Sequence, residues 1–206
     1  MKLAIRRTEI PEVLVVEHEV FEDERGFFME VYRQDEFARY ASLGLPDRFV
    51  QLNHSRSVRG VTRGLHFQWQ PPMGKLMRVT AGEAFLVAVD IRPGSPTLGR
   101  HVSIVASERN RLQLWAPASF ARGFCTLSEA VEIQYLTTGT YNSAAESGIR
   151  WNDPAIRIDW PVDNPILSAK DADAQFLEDW LRRPEAGHFQ YEPPGSATPD
   201  AVGRPR

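Results

Sequence analysis

A short segment of the chain carries a dense set of polar side chains on a strand-like run. Arg63, His66 and Gln68 lie within six residues, and Lys75 follows almost at once. Such a set is costly to bury unless it binds something. Histidine titrates near neutral pH and suits a general base, whereas a nearby cation can stabilise an anionic intermediate. The segment therefore indicates a binding or catalytic site.

Side-chain alternation predicts which of these residues share a face. Residues two apart on a strand point to the same side of the sheet. His66 and Gln68 should therefore share one face, and Arg63 should lie on the opposite face with Leu65 and Phe67.

The row of polar residues that includes His66 and Gln68 has two interpretations. Gln51, Asn53 and Ser55 also share a face in the preceding strand, and such a row is often the solvated side of a sheet. His66 could equally be a structural, hydrogen-bonded histidine. The clustering of Asn, Gln, His and Arg over consecutive strands, instead of Lys, Glu and Thr, favours a site.

Metal and disulfide chemistry are not indicated. The five histidines are His18, His54, His66, His101 and His188. No two are closer than twelve residues, whereas metal ligands cluster, so we expect no metal. The single cysteine, Cys125, excludes an intrachain disulfide, and its apolar neighbours predict a packed thiol.

The composition is that of an ordinary globular protein, with 206 residues, 42% hydrophobic and 25% charged. We predict one domain over 1–183 and a loose tail over 184–206, which is rich in Pro, Gly and charge. A net charge of -3 argues against a nucleic-acid partner. The chain begins with charges instead of a signal-peptide core, and no apolar run approaches the roughly 20 residues of a membrane span. We therefore expect a cytoplasmic protein with no membrane partner.

Most of the chain has the pattern of short strands separated by turn residues. The ten predicted strands cover 13–20, 26–32, 49–57, 60–68, 76–81, 84–91, 101–105, 112–116, 121–127 and 131–138. So many short strands with few helices between them favour an all-β, antiparallel sandwich or barrel.

Two short helices accompany the strands. One is predicted over 35–43, where Gly44 ends it. The other begins at the capping-box-like pair Ser168 and Asp171 and runs through apolar positions to Leu181.

An ordered series of motifs extends over most of the chain. Its segments are 21–30, 51–55, 63–68, 74–76, 87–90, 94–99, 113–117, 135–138, 148–154 and 166–171. Together they resemble the dTDP-4-dehydrorhamnose 3,5-epimerase family from about Ile5 to Leu181. The resemblance implies a cupin-like jelly-roll β-barrel that works as a homodimer without metal or organic cofactor.

The resemblance also implies catalytic roles. His66 resembles the base that removes a proton beside the C4 ketone of a dTDP-4-keto-6-deoxyhexose. Asp171 resembles its orienting partner, a role compatible with helix capping. Tyr135 resembles the acid that returns a proton to the opposite face, and Lys75 can stabilise the enolate between these steps.

Substrate-binding positions follow from the same resemblance. Arg25, Arg63 and Lys75 match residues that hold the diphosphate or sugar, and Tyr141 resembles one that stacks on thymine. The other matching positions are Glu30, Gln51, Asn53, Glu146 and Lys170.

Three residues depart from the family pattern. Arg122 stands where a histidine is usual, Leu52 where an acidic residue is usual, and Phe67 where a tyrosine is common. Arginine keeps a donor and a positive charge, so we expect Arg122 to bind substrate, but it does not cycle a proton near neutral pH. The number of inverted centres therefore stays open between C3 and C5 together and a single-centre epimerase. A non-catalytic sugar-nucleotide-binding cupin is a further alternative, and a metal-dependent cupin oxygenase comes last because the histidine cluster is missing.

Overall fold

The computed structural model describes residues 2–193, most of which belong to antiparallel β-sheets. The strands are β1 Leu3–Arg7, β2 Leu14–His18, β3 Phe21–Asp23, β4 Gly26–Phe28, β5 Gln51–Val58, β6 Thr62–Gln68, β7 Lys75–Ala81, β8 Glu83–Asp90, β9 His101–Ser107, β10 Gln113–Ala116, β11 Phe120–Thr126, β12 Ala130–Thr137 and β13 Glu146–Gly148. The helices are α1 Gln34–Ala38, α2 Ala169–Ala172 and α3 Leu177–Leu181, with 3-10 segments at Ala41–Leu43 and Pro184–Phe189. Within the described residues no helix is long and apolar enough to cross a membrane.

Two sheets face each other across the main core. One has the strand order β1-β2-β10-β7-β12-β5 and the other β13-β6-β11-β8-β9, while β3 and β4 form a separate hairpin. Alternate residues such as Val15, Met77, Leu86, Leu114 and Ile133 point between the sheets and are buried. The predicted all-β jelly roll is confirmed.

Smaller layers cover the outer faces of both sheets. Helix α1 packs Phe37 on the outside of the six-stranded sheet, against residues such as Leu76 and Trp115. The five-stranded sheet is covered by the C-terminal part of the chain, where Trp180 packs 4.5 Å from the ring of Phe67.

All ten predicted strands occur, with shifted ends, and the prediction misses β1, β3 and β13. The first predicted helix is shorter and ends in a 3-10 turn at Gly44, whose φ is 99°. The second is interrupted, because residues 173–176 leave helical geometry and Gln175 forms a parallel bridge with Ile149.

The prediction of a loose tail is wrong for residues 184–189. Residues 184–189 form a 3-10 segment in which Ala186 and Phe189 are 2% and 4% exposed. The ring of Phe189 lies 5.9 Å from that of Trp180. Two apolar side chains therefore hold this segment on the core despite its polar composition. Residues 194–206 lie outside the described part of the chain.

Candidate active site

A cleft between the two sheets has two lobes that meet at the same three residues. The Tyr141 lobe has a volume of about 250 Å³, and the Arg63 lobe about 190 Å³. His66, Lys75 and Tyr135 line both lobes. The Tyr141 lobe is further lined by Gln51, Asn53, Phe67, Gln68, Met73, Tyr141 and Glu146. The Arg63 lobe is further lined by Ser55, Arg63, Met77, Arg122, Gly123, Phe124 and Ile133.

His66 and Asp171 form a dyad although they are 105 residues apart in the chain. Strand β6 carries His66, and Nε2 of its ring lies 2.5 Å from Oδ1 of Asp171 on α2. Ser168 caps that helix by accepting a hydrogen bond from the backbone N–H of Asp171, and its hydroxyl donates to Oδ2 at 2.8 Å. Nε2 is thus engaged by the carboxylate, and Nδ1 is the ring nitrogen left to accept a proton.

Asp171 is 4% exposed. Burial raises the pKa of its carboxyl group, but the hydrogen bonds from His66 and Ser168 outweigh burial and leave that pKa below its ordinary value. The carboxylate is therefore ionised at neutral pH. A buried negative charge at this distance stabilises an imidazolium on His66 after proton transfer.

Tyr135 faces the dyad from the opposite sheet, on β12. Burial raises the pKa of its phenol, although the charge of Arg63 acts in the other direction. The phenol therefore keeps its proton at neutral pH and can donate it. A base on one wall and an acid on the other can remove and return a proton on opposite faces of a bound ring.

Lys75 lies beside Tyr135, with Nζ 5.0 Å from the centre of the phenol ring. Burial, together with the positive charge of Arg122, lowers the pKa of Lys75 to about 7. Its ammonium is therefore only partly populated at neutral pH.

The Tyr141 lobe brings together the predicted binding residues of that region. Gln51 donates from Nε2 to Oδ1 of Asn53 at 2.9 Å, and its Oε1 accepts the backbone N–H of Tyr141. The Tyr141 hydroxyl donates to Glu146 at 3.0 Å, and Glu146 forms an ion pair with Lys170 at the rim. The Tyr141 ring is 59% exposed, so one of its faces is free to stack on a planar ligand.

The prediction that Arg63 lies on the face of β6 opposite His66 is wrong. His66 pairs with Arg122 on β11, but Arg63 pairs with Phe124, so β6 has one more residue than β11 in this interval. Such a bulge interrupts alternation. Arg63 therefore lines the cleft with His66 instead of pointing outward with Leu65, and its Nε donates to Ser57 at 3.1 Å.

Two predicted binding residues lie away from this cleft. Arg25 is at the turn of the β3–β4 hairpin, where it is exposed and pairs with Asp23. Glu30 follows the hairpin and pairs with Arg33. Neither residue lines either lobe of the cleft.

Three further residues shape the site, although the sequence analysis gave none of them a catalytic or binding role. Gln68 is 2% exposed and holds the wall by donating to Pro71 and Thr140 at 2.9 Å each. Ser168 orients Asp171, a role that its capping signal hinted at. Met73, which lines the Tyr141 lobe, had no distinguishing pattern in the sequence. In the described part of the chain, no three His, Cys, Asp or Glu side chains are grouped to hold a metal.

Comparison with known proteins identifies the family of this chain. The family profile described as dTDP-4-dehydrorhamnose 3,5-epimerase matches residues 7–179. Proteins with that name from Shigella flexneri and Pseudomonas aeruginosa are 51% and 50% identical over 174 residues, which is 84% of this chain and 95% of each relative. A dTDP-4-dehydrorhamnose 3-epimerase from Streptomyces niveus is 40% identical over 156 residues, 75% of this chain and 74% of that protein.

A solved structure is similar over almost the whole fold. It is the crystal structure of a dTDP-6-deoxy-D-glucose-3,5-epimerase from Legionella pneumophila in complex with dTDP-4-keto-L-rhamnose. Its TM-score is 0.85 at 43% identity, covering 93% of this chain and all (100%) of that one. On the profile, the relatives and the shared fold, this chain belongs to the dTDP-4-dehydrorhamnose 3,5-epimerase family.

Proposed function

We propose that this chain is an isomerase that inverts C3 and C5 of a dTDP-4-keto-6-deoxyhexose without a metal or organic cofactor. The observation that carries the proposal is the His66–Asp171 dyad on one wall of the cleft, with Tyr135 on the facing wall. Both carbons lie beside the C4 ketone, which makes their hydrogens acidic. One arrangement of base and acid can therefore serve both centres.

Each inversion needs two proton transfers. Nδ1 of His66 removes the proton, and the ionised Asp171 stabilises the imidazolium that results. The negative charge moves to the C4 oxygen, where the ammonium of Lys75 can stabilise it. Tyr135 then delivers a proton to the opposite face of the same carbon, which completes the inversion.

The polar lining of the cleft supports a sugar nucleotide as substrate. Arg63 offers a guanidinium that can pair with the diphosphate. The exposed ring of Tyr141 offers a surface for the thymine. Glu146 and Lys170, which pair at the rim, add a hydrogen-bond acceptor and a cation beside that ring.

The positions of Arg25 and the surrounding aromatic residues support a homodimer. Phe21, Phe27 and Phe28 are 55%, 55% and 68% exposed on the β3–β4 hairpin. An exposed aromatic patch of this kind is typical of an interface. If the hairpin packs on a second copy, Arg25 can reach a diphosphate bound there. Sedimentation of the purified protein as a monomer would contradict this arrangement.

We also propose a cytoplasmic location, and the single thiol supports it: Cys125 is buried and free, which fits a reducing compartment.

The product formed from dTDP-4-keto-6-deoxyglucose tests the function directly. Proton NMR of the product should show inversion at both C3 and C5. Inversion at one carbon alone would identify a single-centre epimerase. This outcome is worth testing because Arg122 stands where the family usually has a histidine. Tight binding of the nucleotide without any turnover would identify a binding protein and refute the proposed activity.

A further inference from the structure

Arg122 is a buried cation without a carboxylate partner in the described part of the chain. It is 2% exposed, and its Nη1 donates to the backbone carbonyls of Met73 at 2.7 Å and Pro117 at 2.9 Å. Its Nε and Nη2 are buried and make no hydrogen bond to the described protein atoms. The carbonyls fix the guanidinium in place but do not neutralise it. Its charge therefore acts on whatever lies next to it in the cleft.

Lys75 shares the Arg63 lobe with Arg122. The two nearby carboxylates are already engaged, because Glu146 pairs with Lys170 and Asp171 pairs with His66. Glu146 acts on Lys75 in the opposite direction to Arg122 and raises its pKa, but by less than burial and the charge of Arg122 lower it. The titratable or charged groups around Lys75 come from every surrounding element: His66 and Arg63 on β6, Arg122 on β11, Tyr135 on β12, Tyr141 after β12, Glu146 on β13 and Lys170 on α2.

We propose that Arg122 is a positioning residue that acts through Lys75: together with the burial of Lys75, the charge of Arg122 converts the lysine ammonium from a permanent cation into a proton donor for the C4 oxygen of the sugar. The inference rests on the proposed function and deepens it. It assigns Lys75 a step of general acid catalysis in place of purely electrostatic stabilisation.

The step balances without any further reactant. Nδ1 of His66 takes the proton from C3 or C5, the C–H electron pair forms a carbon–carbon double bond, and the C4 oxygen takes a proton from Lys75. The result is a neutral enol, an imidazolium and a neutral amine. When Tyr135 protonates the carbon from the other face, the enol hydroxyl returns its proton to Lys75 and the ketone re-forms. The tyrosinate and the imidazolium then regain their resting states by exchange with solvent.

An arginine suits this role because it does not titrate in the same range as the lysine. Burial lowers the pKa of Arg122 to about 9, which stays above the value of about 7 for Lys75. Its charge is therefore present throughout the pH range in which Lys75 loses its proton.

The charge state of Lys75 can be measured directly. The chain has three lysines, Lys2, Lys75 and Lys170, so protein labelled with ¹³C at lysine Cε gives a spectrum that is simple to assign with Lys75→Arg. We expect Lys75 to titrate near neutral pH in the wild type. In Arg122→Met, which removes the charge, the midpoint should rise by about one unit or more. Arg109→Met removes one exposed positive charge that lines neither lobe of the cleft and is the matched control, in which the midpoint should remain low.

Enzyme kinetics test whether this titration matters. The alkaline limb of the pH profile for kcat should follow Lys75, and should move upward in Arg122→Met but not in Arg109→Met. A wild-type Lys75 that titrates near 10.5, its ordinary value, would overturn the inference even if both variants failed to fold. An alkaline limb that stays in place while the Lys75 midpoint moves would also overturn it. Failure of the proposed function is distinguishable, since the wild type would then show no exchange or inversion at any pH.

Discussion

Replacing Asp171 by Asn tests the dyad with almost no change in size. The carboxylate is 4% exposed and lies 2.5 Å from Nε2 of His66, so water does not reach it to take its place. A hydrogen bond to a charged group contributes about 1.5–3 kcal/mol. The imidazolium forms only as the proton moves. Losing this hydrogen bond therefore raises the free energy of the transition state and leaves the free energy of substrate binding unchanged. At about 1.4 kcal/mol per factor of ten, kcat should fall about 10- to 100-fold.

The assay is deuterium incorporation from heavy water into C3 and C5, followed by NMR at saturating substrate. Asp173→Asn is the matched control, since Asp173 is the exposed residue that ends the same helix. Urea unfolding of both variants separates a catalytic loss from a loss of folded protein. A wild-type exchange rate in Asp171→Asn would refute the orienting role, and so would an equal loss in the control.

Three further predictions concern neighbouring residues. Tyr135→Phe should retain exchange but lose inversion, because the base remains and the opposite acid is gone; NMR of the product would contradict this if inversion persisted at the wild-type rate. Gly64→Ala should lower the free energy of unfolding by about 1–3 kcal/mol in urea, because its Cβ would lie 2.6 Å from Cα of Gly123 at a φ of +123°. The pKa of Asp171 is lower in the folded protein, so its stabilisation holds above 3.8 and is lost as pH falls through the folded value. The difference in unfolding free energy between wild type and Asp171→Asn should therefore shrink below pH 3.8, and a constant difference would count against the dyad.

Local pattern was enough to locate ten of the thirteen strands in the described residues and the polar face of β5. Gln51 and Asn53 alternate with outward residues on β5 and line the cleft. Arg63 was misplaced because alternation assumes an unbroken pairing register. The extra residue of β6 is visible only when β6 is paired with β11, which is information about another part of the chain.

Contacts over long sequence separation could not be derived from spacing. The pairing of His66 with Asp171 was available only through resemblance, since the residues alone did not choose among 27 acidic side chains. The same resemblance suggested Arg25 as a binding residue, but a single chain holds Arg25 away from its own cleft. The segment 184–189 was predicted to be loose because the composition was taken over the whole of 184–206. Its packing depends chiefly on one residue, Phe189, which the average composition does not reveal.

The most direct test of the mechanism is solvent exchange resolved by carbon in wild type and His66→Ala. The wild type should incorporate deuterium at both C3 and C5 of dTDP-4-keto-6-deoxyglucose, and His66→Ala should incorporate it at neither carbon above the uncatalysed rate. Exchange that continues at either carbon in His66→Ala would show that another group is the base there and would contradict the account.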